Sequence, residues 1–210
     1  MSAHASTALA AASGSQGLWL VSRGSGLVLL ALFSAVMMLG VSTRTGATSR
    51  RWPRFAVAEL HMTLSLFAVA LLLLHVVTAM LDPYVSIGWA ATVLPFLSRY
   101  ETLAIGAGTI AVDLAGAVLI TSVLRRRLGL RMWRAVHYFA YLAWPVAFVH
   151  AITAAPYDQH LWFVVLAEWG SLAAVATAVI VRLARRGKPG PLEDRPDTQA
   201  QRPLVRSGHG

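Results

Sequence analysis

The sequence predicts an all-α integral membrane protein, a bundle of five transmembrane helices with its N-terminus outside and its C-terminus cytoplasmic. Three observations carry that prediction. The 210 residues are 57% hydrophobic and only 13% charged, where a soluble domain carries about 25% charged residues. Five apolar stretches approach or exceed the roughly 20 residues needed to cross a bilayer. The connections between them alternate between strongly basic and not basic, which is the pattern of a chain threaded back and forth across a membrane.

The elements follow in order. Residues 1–17 are Ala/Ser-rich, with no basic cluster before the first apolar run. They read as a flexible N-terminus rather than a cleaved signal peptide. The spans are expected at 18–41, 55–81, 102–124, 133–155 and 161–184. The first connection carries Arg44, Arg50, Arg51 and Arg54, and the third carries Arg125, Arg126, Arg127, Arg131 and Arg134. The last span is followed by Arg185, Arg186 and Lys188, with Arg182 just inside it. The second connection has only Arg99 beside Asp82 and Glu101, and the fourth has Asp158 and no basic residue. The basic connections belong to the cytoplasmic side. The second connection, 82–101, is apolar but broken by Pro83 and Pro95, and is expected to lie in the outer interface as a short helix capping the bundle. Residues 187–210 are rich in Pro, Gly and charge and are expected to be a disordered cytoplasmic tail.

The composition also excludes chemistry. The chain has no cysteine, so disulfides, thiolate metal sites, iron–sulfur clusters and covalent heme attachment are ruled out. Of the 18 basic residues all but Lys188 are arginine. Their place between apolar stretches speaks for topology and lipid headgroups rather than nucleic acid. Abundant Ala and Arg with almost no Lys suggests a GC-rich bacterial source, hence a multi-pass protein of the bacterial cell membrane.

Of seven histidines, His4 and His209 lie at the ends and His160 in the last connection, while His61 and His75 share the second span and His137 and His150 the fourth. An ionisable side chain inside a membrane is costly and marks function by default. The second and fourth spans run in the same direction. His61 and His137 therefore fall at one depth, near the cytoplasm, and His75 and His150 at another, near the outside. Each pair can supply the two axial ligands of one heme iron. The levels would stand roughly 20 Å apart at about 1.5 Å per residue, and a six-coordinate heme suits electron transfer. Two rival readings remain: histidines that bond neighbouring helices, and a zinc or copper site, for which two ligands per level are few. Phase favours the second span, since 14 residues come within about 40° of four whole turns, whereas 13 residues miss by about 140°. Pro145, between His137 and His150, is expected to kink and rewind the fourth span.

The spacing His61-x13-His75 on one span and His137-x12-His150 on another resembles the ferric reductase-like transmembrane domain family. That family includes the membrane half of the NADPH oxidases, iron reductases, and the heme subunit of the bacterial periplasmic methionine-sulfoxide reductase system. The stretch from Arg125 to Tyr138 is similar to the family's basic loop leading into its second histidine helix. Ser22-Arg23-Gly24-Ser25-Gly26 resembles the short bacterial members, and the resemblance covers about residues 18–186. It implies two b-type hemes in a conduit that carries electrons from a cytoplasmic or inner-leaflet donor to an outside acceptor. The acceptor would be ferric iron, oxygen or a partner flavoprotein. The oxidases and iron reductases add a flavin and nicotinamide domain after the last helix. Only 24 residues follow Arg186, without a dinucleotide fingerprint. The chain is thus expected to be the heme-bearing membrane component of an oxidoreductase, fed by a separate protein, a quinol or a flavin supplied by a partner. The alternatives are a quinol-linked heme anchor for a separate redox enzyme, and a non-redox membrane scaffold.

Arg54 and Arg134 beside the inner histidines are candidates for the heme propionates, although the positive-inside rule alone also accounts for them. Arg23 lies at the outer end of the first span, where that rule does not apply, and is a candidate for a propionate or a headgroup; Arg99 is a weaker one. Trp144, seven residues past His137, either fills the gap between the hemes opposite Ala68 or packs in the bundle. Glycines at 24, 26, 40, 106, 108 and 116 permit close helix approach, with or without a cofactor. Glu59, Asp113 and Glu168 are carboxylates at membrane depth, open to a proton relay, to tuning of an axial histidine or to local pairing.

Overall fold

A computed structural model describes residues 2–45, 53–83, 85, 87–154 and 156–186. Among these the chain forms α1 (Ser2–Thr45), α2 (Arg54–Leu81), α3 (Thr102–Val123), α4 (Arg125–His137), α5 (Ala140–Ala154) and α6 (Trp162–Arg186), with 3₁₀ turns at Trp89–Thr92 and Pro156–His160 and no strand. Four stretches are long and apolar enough to cross a membrane: Gln16–Ser42, Arg54–Leu81, Thr102–Val123 and Trp162–Ala184. The bent pair α4–α5 adds a fifth if the two helices together make one span. The protein is therefore a multi-pass helical membrane protein. Large side chains such as Leu66, Phe67 and Leu73 of α2 and Leu103 and Ile120 of α3 are exposed, as befits surfaces whose solvent is hydrocarbon.

Several boundaries differ from expectation. Helix α1 begins at Ser2, ahead of the span proper at Gln16–Ser42, because its Ala-rich start has high intrinsic helicity. The expected tail at 187–210 lies outside the described residues. The fourth span is not one helix but two, joined at a 44° bend. The first of them starts inside the basic connection and is broken once more at Gly129, whose φ of 76° only glycine adopts readily.

Pro145 lies within α5 without ending it, so the bend is not where the proline is; it falls at Tyr138–Phe139. There the amides of Phe139, Tyr141 and Leu142 donate to Val136, Tyr138 and Phe139, three residues back rather than four. That is 3₁₀ winding, and each residue so wound advances about 20° more than in an α-helix. Three such residues make up about 60° of the roughly 140° phase deficit between His137 and His150.

Helix α1 is the hub, packing on α2, α5 and α6, while α3 packs on α5 and α4. The buried cluster joins α1, α5 and α6 through Leu30, Met37, Trp144, Phe148 and Val175. The indole of Trp144 donates to Ser34 Oγ at 2.8 Å and stacks on Phe148 with ring centres 5.6 Å apart. Trp144 is thus a packing residue, not a filler between the histidine levels. Trp144→Ala should lower the thermal midpoint of the detergent-solubilised protein, by a cost of roughly 2–3 kcal/mol. That is the low side of core truncations, because lipid tails are as apolar as the site that is lost.

The connection between α2 and α3 folds over one end of the bundle. Thr109 of α3 donates to the carbonyl of Ala91 at 2.8 Å. Phe96, with φ of 66°, lays its ring against Gly106, where a Cβ would meet it.

Candidate functional site

One cavity of about 1020 Å³ runs through the bundle and is lined by all four of the span histidines. That is the top of the range of about 300–1,000 Å³ typical of small-molecule sites. It holds the two histidine levels that the helix directions imply. The rings of His61 and His137 have centres 6.4 Å apart, and those of His75 and His150 6.2 Å apart. Two imidazoles on opposite sides of one metal, each bonded at about 2 Å, hold their ring centres roughly 6 Å apart.

The ring orientations are set from outside α2 and α5. Nδ1 of His61 donates to the carbonyl of Val36 at 3.0 Å, Nδ1 of His75 to that of Ser22 at 2.9 Å, and Nδ1 of His150 to that of Ala104 at 2.7 Å. A carbonyl can only accept, so Nδ1 carries the proton and Nε2 keeps its lone pair for a ligand.

Four residues after each of those carbonyls stands a glycine: Gly40, Gly26 and Gly108. In an α-helix the Cβ tilts toward the N-terminus and covers the preceding turn. Without a Cβ the carbonyl one turn back lies open to a second donor. A Cβ at Gly108 would come within 2.7 Å of the His150 ring, at Gly26 within 3.0 Å of His75, and at Gly40 within 3.3 Å of His61. These seats went unread in the sequence, although one signal was there: Gly26 and Gly40 are 14 apart, as are His61 and His75. On antiparallel helices that equality places one glycine opposite each ring.

His137 is seated differently. Its ring stacks on Trp133 with centres 5.0 Å apart, and the Trp133 indole donates to Ser122 Oγ of α3 at 3.3 Å.

Among the described residues no group of three or more His, Asp or Glu could hold a metal. Each level brings together two imidazoles, so four further positions around an iron would have to come from the ligand itself. The porphyrin of a heme supplies four nitrogens. The residues present therefore fit two bis-histidine hemes, and they do not fit a closed zinc site.

The arginines divide. Arg23 lines the cavity at the His75/His150 end, pairing with Asp158 at 3.1 Å and donating to the carbonyl of Ala154 at 3.2 Å. Arg134 lines the opposite end, together with Arg125, which lies 5.3 Å over Trp133. Arg54 and Arg99 are exposed and do not line the cavity. Glu59 and Glu168 line it, whereas Asp113 is exposed outside it.

Comparison with known families adds one match. The family profile of the ferric reductase like transmembrane component covers residues 25–148, a shorter reach than the 18–186 expected. It takes in His61, His75 and His137 and stops two residues short of His150. No curated protein and no solved structure matches the chain. With more than half of its length under that profile, and an all-helical membrane architecture beneath it, the chain belongs to the ferric reductase-like transmembrane family.

Proposed function

We propose that this protein carries electrons across a bacterial cell membrane through two b-type hemes, an inner one held by His61 and His137 and an outer one held by His75 and His150. The observation that carries the reading is the paired geometry: two imidazole pairs at ligand spacing in one cavity, with Nδ1 of three rings already committed to backbone carbonyls. Family membership supports the same class of function.

Heme supplies one-electron chemistry at an iron that cycles between two oxidation states. The side chains do the rest. The Nε2 atoms of His61 and His137 would hold one heme and those of His75 and His150 the other, and an iron held by two imidazoles would have no position open for oxygen chemistry. The carbonyls of Ser22, Val36 and Ala104 hold the rings and raise their basicity. Arg134 and Arg125 at one end and Arg23 at the other offer cations to propionates. Small residues between the levels, among them Ala68, Ala111, Ala115, Ala143 and Ala147, line the cavity and leave room for the macrocycles.

The arginines of α4 gather at the His61/His137 end, and Asp82 and Asp158 at the other. By the positive-inside rule the former end is cytoplasmic. An inside-negative potential then favours outward electron flow, by about 2.3 kcal/mol per 100 mV for a full crossing. The donor is a protein, flavin or quinol at the cytoplasmic side or inner leaflet, and the acceptor lies outside.

The test is to purify the full chain from heme-replete cells and count heme. The expected outcome is two hemes per chain, with the reduced spectrum of six-coordinate low-spin iron. A colourless preparation would end the proposal and leave the scaffold reading.

A further inference from the structure

Arg182 lies inside a membrane-crossing stretch, Trp162–Ala184 of α6. A charge at that depth is costly and needs a partner. Its place near the cytoplasmic end accounts for a basic residue, but not for the direction its side chain takes. Arg182 is half-buried. Its Nη1 donates to the hydroxyl of Tyr141, and its guanidinium carbon stands 5.6 Å from the centre of the Tyr141 ring. Among the described residues no carboxylate pairs with it. The cation is turned inward, onto one neutral side chain.

That side chain lines the histidine cavity. Tyr141 stands four residues after His137 and nine before His150. In a helix the Cβ tilts toward the N-terminus, which in α5 is the His137 end. Tyr141 also packs against the core cluster of α1, α5 and α6, so its ring is held in place. A phenol has one proton to donate. Its oxygen accepts from Arg182, which can accept nothing in return, and among the described residues no group accepts the phenol proton. An oxygen polarised by a cationic donor is a stronger donor in its turn. The carboxylates of the cavity do not meet this need. Asp82, Asp158 and Glu168 belong to the His75/His150 end, and Glu59 is exposed on α2.

A cation backing a hydroxyl at the edge of a cavity is suited to an anion that arrives with the ligand. Resting on the heme assignment above, we propose that Tyr141 and Arg182 together hold one propionate of the inner heme. The hydroxyl donates to the carboxylate, and the guanidinium behind it supplies the positive charge. Arg134 and Arg125 of α4, which line the same end of the cavity, serve the second propionate. Tyr141 is then a heme-binding residue, and Arg182 a positioning residue that acts through it. Helix α6 holds neither histidine level, and it lies beyond residues 25–148 of the family profile. This contact gives it a part in the site.

The test compares heme b with its dimethyl ester, which has the same iron and macrocycle but no carboxylates. The full chain is made heme-free in the His75→Ala background, where only the inner level loads, and is titrated with each ligand. Tyr141→Phe keeps the ring and removes only the hydroxyl. It should weaken binding of heme b about tenfold or more, the worth of a hydrogen bond to a charged group, and leave binding of the dimethyl ester unchanged. Arg182→Gln should act in the same direction and likewise spare the ester. A mere tie between α5 and α6 would weaken both ligands alike. Equal losses, or no loss with heme b, would therefore overturn the inference. If the heme-free chain does not load, resonance Raman of the purified two-heme protein carries the test. The propionate bending band of the inner heme, the one missing from His61→Ala, should shift in Tyr141→Phe, and an unshifted band would overturn the inference. Either failure leaves the two-heme reading standing. A wild-type chain purified without heme would overturn that reading and this inference with it.

Discussion

Replacing His75 or His150 with alanine should leave a protein with one heme per chain instead of two, and replacing His61 or His137 should do the same at the other level. Each iron would depend on a single pair of imidazoles whose ring centres stand 6.2 or 6.4 Å apart, and among the described residues no group of three His, Asp or Glu could hold a metal. The loss should therefore be confined to one level, because the two pairs share no ligand. Heme per chain by absorbance, together with the redox titration of the surviving component, reads this out. The two components should be complementary: what His75→Ala loses, His61→Ala keeps. If all four variants retained both hemes, the ligand assignment would be wrong. If each variant lost both, the levels would not be independent.

A graded loss should follow from filling the glycine seats. Gly108→Ala places a methyl within 2.7 Å of the His150 ring, Gly26→Ala within 3.0 Å of His75, and Gly40→Ala within 3.3 Å of His61. Real Cβ contacts below 3.0 Å require something to move, and here the thing that moves is an axial ligand. Heme retention should fall in the order Gly40→Ala, Gly26→Ala, Gly108→Ala. The last should resemble loss of His150, and the first should stay close to wild type. Losing the orientation of a ligating histidine commonly costs 10–100-fold in affinity. Gly24→Ala and Gly116→Ala provide the contrast. A Cβ meets nothing within 4 Å at either place, so both should keep two hemes and gain a few tenths to about 1 kcal/mol of helix stability. Equal heme contents across all five variants would show that the seats are incidental.

The spans were legible because membrane insertion is governed by local composition. Roughly 20 apolar residues mean a crossing whatever surrounds them. The positions of the four histidines, the matching depths and the alternation of charge are likewise properties of the chain read in one dimension. Even the pairing of His61 with His137 and His75 with His150 follows from helix direction and length.

What lay beyond the sequence depends on which surfaces meet. Trp144 has the right spacing from His137 to face the cavity, yet it turns to Ser34 and Phe148, because the overwinding at 136–142 rotates everything after it. That overwinding was sought at Pro145 and occurs before it. Its signature is a set of backbone hydrogen bonds, and no residue type announces it. The glycine seats needed the register of α1 against α2 and of α3 against α5. Asp113 and Glu168 looked alike as carboxylates in apolar helices, and only packing exposes the one and buries the other. Composition decides that a segment crosses and what it carries, since each residue's transfer free energy is its own. Packing decides which way each side chain looks and what stands opposite, since those depend on distances between residues far apart in the chain.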